Sequence, residues 1–322
     1  MMTTLLEYKE LAKRFYAKYD IYVKPAIKFV FALISFLTIN GKIGFMQQLK
    51  SPLVAIILAL ICAFLPLNGI VVIGGILMVA HAFALSMEAC VVTAGLIVVM
   101  YLLYFRISSK MAIILIITPI SFMIGIPHAV PLLGGLLFGP AAAVPAGCGA
   151  VIYYLMKYMS QNTASLGTEE VLGTGVKAAS LVDSLMNNKT MFVCVIAIVL
   201  TVMIVYFIRR LSVDYSWELA IGVGTVINIV VHLVGALLPN VTVGIIRLLL
   251  GNIVSAGIAF VIKFFVFSVD YTRTERVQFE DDEYYYYVKA VPKNVIAAPK
   301  KTVKKIVSHK KQTKTVVKRI DS

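Results

Sequence analysis

The sequence predicts an all-α integral membrane protein, and three observations lead to that fold class. Of the 322 residues, 60% are hydrophobic and 14% are charged, whereas soluble chains are about 45–50% apolar and about 25% charged. The apolar residues come in blocks of about 20, the helix length that crosses a hydrocarbon core of roughly 30 Å. The positive charges lie mainly between the blocks and at the two ends of the chain. This composition argues against a soluble enzyme.

The N-terminal residues 1–24 are predicted to form an amphipathic helix on the cytoplasmic surface of a membrane. Apolar and aromatic side chains recur there at steps of three and four residues, at Leu5, Tyr8, Leu11, Phe15 and Tyr19. Lysines and one arginine occupy the other faces, as in helices that lie in the membrane interface. A helix that simply packs on the bundle has the same pattern, and both interpretations stay open.

Residues 25–270 are predicted to form a polytopic membrane domain with about eight spanning helices. Turn residues such as Asn40-Gly41 and Pro239-Asn240 separate neighbouring blocks. The predicted spans are 25–40, 51–66, 69–87, 89–105, 111–126, 190–208, 217–238 and 243–268. The first of them follows too long a charged stretch for a cleavable signal, so we expect it to remain as an anchor helix.

A ninth apolar segment, residues 128–156, does not resemble an ordinary spanning helix. Residues 127–149 contain four prolines and five glycines. Non-helical backbone at membrane depth is tolerated only where protein or a water-filled cavity supplies its hydrogen bonds. The segment is therefore predicted to be a re-entrant hairpin or a pair of short crossing helices, which would raise the helix number to 10.

The distribution of positive charge supports the same prediction independently. Basic residues in short loops mark the cytoplasmic side, and they place the N-terminus, Arg106 with Lys110, Arg209 with Arg210, and the C-terminal tail on that side. The loop 159–189 is then extracytoplasmic, which requires the segment 128–156 to enter and leave the membrane on one side. Lys42 and Lys50 fall outside and fit this topology poorly.

Polar residues inside the apolar blocks are the candidate functional residues, since intramembrane polarity is costly and commonly functional. Glu88, Thr118 and His128 also interrupt apolar stretches. Hydrogen bonding between helices, interfacial snorkelling and close helix packing are the competing explanations. The candidates for lining a pathway or binding a substrate are His81, Pro131, Gly134, Gly135, Gly139, Pro140, Pro145, Asn228, His232, Arg247 and Asn252.

No pattern typical of catalysis or of a cofactor is present. The sequence contains neither a phosphate-binding loop nor a zinc-protease or nucleophile-elbow motif. The four cysteines, Cys62, Cys90, Cys148 and Cys194, lie in apolar blocks without metal spacing, and we interpret them as small buried side chains. We expect no enzyme activity, no cofactor and no metal.

The tail 271–322 is predicted to be cytoplasmic and to consist of two parts. Its first part is a candidate docking site for a cytoplasmic protein at 273–293, formed by Glu280, Asp281, Asp282, Glu283, Tyr284, Tyr285, Tyr286 and Tyr287. The tyrosines favour an extended conformation, or could lie along the membrane interface. The second part, Lys293 to Arg319, has ten basic residues and no acid. It suits anionic lipid; nucleic acid is less favoured because no aromatic residues are interleaved.

The stretch RTERVQFEDDEYYYYVKAVPK, together with the broken segment, resembles uncharacterised multi-pass membrane proteins of clostridial Firmicutes, some of which are loosely labelled permeases. The resemblance implies a bacterial plasma-membrane location. It implies no activity and no catalytic residues.

Two functions are compatible with these features. The first is a transporter or permease-like protein whose pathway passes residues 128–149. The second is a membrane scaffold that recruits a cytoplasmic partner through its tail, for instance in envelope assembly or division. An intramembrane enzyme is third, because neither a nucleophile nor a metal cluster is visible.

Overall fold

A computed structural model describes residues 8, 11, 12, 15–163, 174–239, 241, 244–266, 275–280 and 285–290. Contacts divide the chain into one unit of residues 9–267 and a second of residues 1–8 with 268–322. The first unit is helical throughout its described residues, as predicted for a polytopic membrane domain.

In the first half of this unit, the described helices that follow the helical residues 15–18 are α1 (Asp20–Ile43), α2 (Gln47–Lys50), α3 (Pro52–Phe64), α4 (Leu67–Leu85), α5 (Met87–Ser108) and α6 (Ala112–Ile124). Helix α1 runs through Pro25 without a break. The chain bends at Tyr19, between the helical residues 15–18 and α1, and the predicted domain boundary after residue 24 stays a prediction. Residues 20–24 are the first turn of the same helix.

The second half contains the broken segment and five further helices. The broken segment comprises α7 (Ala129–Leu133), a π-helical turn (Gly134–Phe138) and a 3-10 turn (Pro140–Ala142). It leads directly into α8 (Ala143–Gln161). The other helices are α9 (Thr174–Met186), α10 (Lys189–Arg209), α11 (Ser216–Ala236) and α12 (Ile245–Val266). Helix α9 lies in the predicted external loop 159–189 and buries Leu181 and Leu185.

Six of the described helices, α1, α4, α5, α10, α11 and α12, are long and apolar enough to cross a membrane. The predicted spans 51–66 and 111–126 are shorter than expected. Each forms a helix of 13 residues, or about 20 Å at 1.5 Å per residue. Pro66 follows the end of α3, and α6 stops at Gly125, whose φ of 89° ends a helix. Six helices thus meet the length criterion, where eight were expected.

The chain reverses direction at Gly139, in the middle of the broken segment. Gly139 has a φ of 98°, a conformation that glycine adopts readily and other residues do not. Along α10, Gly134 lies beside Val202 and Gly139 beside Tyr206, whereas Gly147 lies beside Val195. The residues before Gly139 therefore follow the direction of α10, and α8 runs against it.

Buried apolar side chains form three groups, of which the second contains residues of both the broken segment and α8. The first joins α1, α3, α4, α5, α6, α8 and α9. The second joins α6, α7, α8 and α10, and the third joins α7, the π-helical turn, α10, α11 and α12. Many outward-facing side chains are apolar and exposed, for example Ile76 (64%) and Val99 (63%). Such a surface suits a lipid environment.

In the second unit, two strands form an antiparallel hairpin, β1 (Glu275–Glu280) and β2 (Tyr285–Ala290). Phe279 pairs with Tyr286, and Glu280 pairs with Tyr285. The extended conformation predicted for the tyrosines is confirmed for Tyr285–Tyr287. Asp281, Asp282, Glu283 and Tyr284 lie outside the described residues, as does the basic segment 293–319.

Gly135 provides a test of how tightly the broken segment is held. A Cβ atom there would lie 2.7 Å from the Val202 carbonyl oxygen and 2.8 Å from the Val205 Cβ. We expect Gly135→Ala to overpack this contact by about 1–3 kcal/mol and lower the melting temperature by roughly 3–10 °C. A thiol-reactive dye can report unfolding, because Cys62, Cys148 and Cys194 are buried.

Gly222→Ala in α11 is the matched control, since no atom lies within 4 Å of its added Cβ. We expect its melting temperature to stay the same or to rise slightly, as alanine favours a helix over glycine. Equal melting temperatures for the two variants would contradict the close contact at Gly135.

Candidate functional site

A group of buried polar side chains lies where α7, α10, α11 and α12 meet. We call it the histidine–asparagine cluster, and it consists of His128, Thr201, Asn228, His232 and Asn252. None of these residues is more than 8% exposed. The same helices also bury a group of apolar side chains. The cluster thus places polar groups among buried apolar side chains, an environment that stabilises polar groups poorly.

Hydrogen bonds connect three members of the cluster across α10 and α11. The His232 Nδ1 atom lies 2.8 Å from the Asn228 carbonyl oxygen one turn earlier. The Asn228 Nδ2 donates to Thr201 Oγ1 over 3.1 Å. His128 joins them from α7: its ring is perpendicular to that of His232, with centroids 5.2 Å apart.

Helix α12 closes the cluster through Gly251 and Asn252. A Cβ atom added at Gly251 would lie 3.1 Å from His128 Cδ2, so the imidazole packs closely against α12 at this glycine. Glu218 on α11 forms an ion pair with Lys263 on α12. Asn252 follows Gly251 on α12 and is fully buried.

Two acceptors in the cluster are not used. The side-chain oxygens Oδ1 of Asn228 and Asn252 are buried and have no hydrogen-bond partner of ordinary geometry. The Nδ2 of Asn252 donates to the Leu248 carbonyl over 2.9 Å, which fixes that side chain along its own helix. A buried polar atom without a partner costs about 1–3 kcal/mol, so a ligand that donates hydrogen bonds here would remove this cost.

The cluster carries no negative charge. Among the described residues of α7, α10, α11 and α12, the acid is Glu218, which is paired with Lys263. Two histidines without a carboxylate are a poor site for a divalent metal. Among the described residues, no group of three or more His, Cys, Asp or Glu side chains could hold a metal ion.

An open groove of about 990 Å³ leads towards the cluster. Its lining includes Gly125 and Gly251. Gly125 lies three residues before His128 in the chain, and Gly251 packs against the His128 ring. Arg247 is the charged residue of the lining, and the remaining walls are apolar. Arg247 also interacts electrostatically with Tyr153 on α8. The groove therefore combines apolar walls with one positive charge.

The predicted pathway residues of the broken segment are packed against neighbours in this conformation. Gly134, Gly135 and Gly139 contact α10. Pro131 and Pro145 are buried, and Pro140 is half-buried. Around its turn at Gly139 the segment packs against Val202, Val205 and Tyr206 of α10. Two of these neighbours are aliphatic, so most of this contact is apolar.

His81, another predicted pathway residue, lies in a separate and fully bonded polar group. The Met46 amide donates to His81 Nδ1 over 3.2 Å, and His81 Nε2 contacts Asn40 Oδ1 at 3.0 Å. Asn40 Nδ2 in turn donates to the Leu49 carbonyl over 2.9 Å. A neutral imidazole with its proton on Nε2 satisfies every one of these contacts. His81 thus holds the turn after α1 in place.

The structure brings Asn228 and His232 together, places Asn252 next to Gly251, which packs against His128, and places Arg247 at the neighbouring groove. Two further cluster members were not among the sequence candidates. His128 is visible in the sequence as a polar residue at the start of the broken segment. Thr201 gives no signal, because a threonine within an apolar helix usually bonds its own backbone.

Replacing His81 tests its structural role. We expect His81→Leu to leave the Asn40 Oδ1 and the Met46 amide without partners and to destabilise the protein by about 2–5 kcal/mol. The loss should appear as a lower melting temperature in the dye assay. In an Asn40→Leu background the same change should cost much less, because the shared bond is already gone. Additive losses in the double variant would contradict this coupling.

No family model, curated protein or solved structure matches the chain. The resemblance to clostridial membrane proteins stays a prediction. The chain's own residues show several apolar helices that fit a multi-pass membrane protein. Within it lies a buried polar cluster beside a broken helix.

Proposed function

We propose that this protein transports a small polar solute across a membrane and binds it at the histidine–asparagine cluster. The observation that carries the proposal is the pair of unpartnered oxygens, Asn228 Oδ1 and Asn252 Oδ1, buried at the level of the broken segment. Polar groups in such surroundings are expensive and commonly mark a substrate or ion pathway. A solute with N–H or O–H donors supplies what the two oxygens lack.

Access to the cluster is asymmetric, as transport by alternating access requires. On one side the groove reaches Gly125 and Gly251 beside His128. On the other side the turn at Gly139 is packed against Tyr206. In this conformation, a solute can approach from the groove and is blocked towards the Arg209 end of α10. Movement of the broken segment along α10 would close the side of the groove and open the side of the Gly139 turn.

For the membrane topology, we propose eight crossings with residues 128–156 as a re-entrant hairpin, and both termini in the cytoplasm of a bacterial cell. The ten residues of 129–138 extend about 15 Å as a helix, and the turn that follows at Gly139 lies beside Tyr206, three residues before Arg209 on α10. The Arg209 guanidinium lies 5.2 Å from the Trp217 ring, and Arg210 donates to the Tyr206 hydroxyl over 2.8 Å. Arginine among aromatic side chains is typical of a cytoplasmic interface.

Cysteine labelling tests this topology. In a background without the native cysteines, Val182→Cys on α9 should react with a membrane-impermeant maleimide in intact cells. Val213→Cys, three residues beyond Arg210, should react only after permeabilisation. Both positions are exposed, at 46% and 55%, so the difference would report the side of the membrane. Labelling of Val182→Cys from the cytoplasm alone would exclude the re-entrant hairpin.

Uptake by proteoliposomes tests the transport function. Vesicles containing the full-length protein are incubated with a ¹³C-labelled polar metabolite extract, and their contents are measured by mass spectrometry. We expect at least one compound to accumulate above empty vesicles, and Asn252→Leu to reduce its uptake at least about 10-fold, since one lost hydrogen bond of about 1.5 kcal/mol has that effect. Gly222→Ala is the control and should keep full uptake.

A scaffold function is the second candidate, and the packed turn at Gly139 favours it, because a closed bundle needs no moving segment. Its partner would bind the hairpin β1–β2 with Glu280 and Tyr285–Tyr287, while the basic end of the tail binds anionic lipid. A chain ending at Asp270 separates the two functions. Uptake that survives this truncation supports transport, whereas a cellular phenotype that depends only on the tail, with no uptake of any compound, supports the scaffold.

A further inference from the structure

We infer that His128 and His232 share one exchangeable proton, and that the Asn228 Oδ1 accepts a hydrogen bond from the protonated His128 ring. The histidine–asparagine cluster is then a proton-binding site. The inference deepens the proposed transport function, since a proton taken up there can couple to solute movement. Proton binding can also be measured without any solute.

The hydrogen bond of His232 defines where a proton can be added to its ring. Its Nδ1 lies 2.8 Å from the Asn228 carbonyl oxygen, and a carbonyl oxygen only accepts hydrogen bonds. Nδ1 therefore carries a hydrogen. In the neutral ring, Nε2 is then left with a free lone pair, so the ring can take up a proton there without breaking its bond to α11.

Asn228 offers an acceptor to the other histidine. The His128 ring lies 5.2 Å from the ring of His232, one turn after Asn228 on α11, and the buried Asn228 Oδ1 has no hydrogen-bond partner. The Nδ2 of the same side chain is occupied by Thr201, which holds the oxygen in position. A protonated imidazole donates from both nitrogens, so protonation of His128 provides the donor that the oxygen lacks.

The two rings are too close for both to be charged. With centroids 5.2 Å apart, one protonated ring makes protonation of the other harder by about two pH units at an effective dielectric constant near 20. The cluster contains no carboxylate that could offset the second charge. The two histidines therefore titrate as a pair that holds one proton before it can hold two.

The other groups around His128 leave the proton with this pair. The titratable and charged residues on the neighbouring helices are His232 and Glu218 on α11, Arg247 and Lys263 on α12, Lys189, Cys194, Tyr206 and Arg209 on α10, and Cys148, Tyr153, Tyr154, Lys157 and Tyr158 on α8. Glu218 is bound to Lys263, ten residues from Asn228. Arg247 lines the open groove beside Gly125 and Gly251.

Histidine NMR tests the inference directly. The chain has four histidines, so full-length protein with ¹⁵N-labelled histidine in lipid nanodiscs gives a spectrum that His→Gln variants at 81, 128, 232 and 309 can assign. From pH 9 to pH 4, we expect the first step of the pair to add one proton in total, distributed over His128 and His232. His81 should stay neutral through that step, because Met46 donates to its Nδ1.

Two variants test the role of the Asn228 oxygen. Asn228→Leu should lower the midpoint of that step by about one pH unit, the effect of losing one hydrogen bond to a charged group. Asn252→Leu removes the other unpartnered oxygen and should lower the midpoint by less than half as much. A larger effect of Asn252→Leu than of Asn228→Leu would overturn the assignment of the acceptor.

The titration of the wild-type protein tests the inference even if a variant does not fold. Two histidines that protonate independently at one midpoint, or a pair that stays neutral down to pH 4, would overturn the inference. The result is also separable from the transport proposal. A shared proton in a protein that accumulates no solute would support the proton site and count against transport. Solute uptake by a protein whose two histidines never titrate would support transport and count against the proton site.

Discussion

The contact between the broken segment and α10 is the constraint on which the rest of the bundle depends. Backbone that departs from an α-helix at membrane depth must be enclosed by protein. Here the enclosure comes from glycine: the chain approaches Val202 so closely at Gly135 that a side chain does not fit. Because the segment is held there, α8 on one side and α12 on the other both reach it. The two halves of the helical unit meet through α8 and α9, which pack with α1, α3, α4, α5 and α6, and the broken segment leads directly into α8.

Burial of polar side chains has opposite consequences in the two halves. The group around His81 is complete: each nitrogen and oxygen that contacts the imidazole has a partner, and the result is a fixed turn. The histidine–asparagine cluster is incomplete, with two free oxygens in the same kind of surrounding. Since the free energy cost of such oxygens is not offset by packing alone, the incomplete group is the one that suggests a ligand.

Much of this fold could be predicted from the sequence, for identifiable reasons. Long apolar blocks specify helices strongly, so α4, α5, α10, α11 and α12 are close to their predicted bounds. Block length was a weaker guide for α3 and α6, because the prolines and the glycine that end them lie inside the apolar runs. The break at 134–142 followed from its glycines and prolines. Its π-helical turn did not, since no residue type marks that hydrogen-bond pattern.

The candidate site was only partly predictable. The spacing of four residues between Asn228 and His232 places both on one face of a helix, and the structure confirms that they interact. His81 has the same chemistry in the sequence, yet its role depends on Met46 and Leu49, whose backbone positions a sequence does not give. Thr201 and Gly251 became part of the site only through helix packing, which joins residues far apart in the chain.

The π-helical turn has a consequence for how the broken segment can change length. Its bond from the Gly139 amide to the Gly134 carbonyl, at 3.1 Å, encloses one more residue than an α-helical turn does. The π-helical turn therefore holds one extra residue. If the turn re-formed as an α-helix, that residue would move into the bend at Gly139, and the segment between α7 and α8 would become longer by one residue. A regular α-helix has no extra residue in its turns, so its length could change only if part of it unwound.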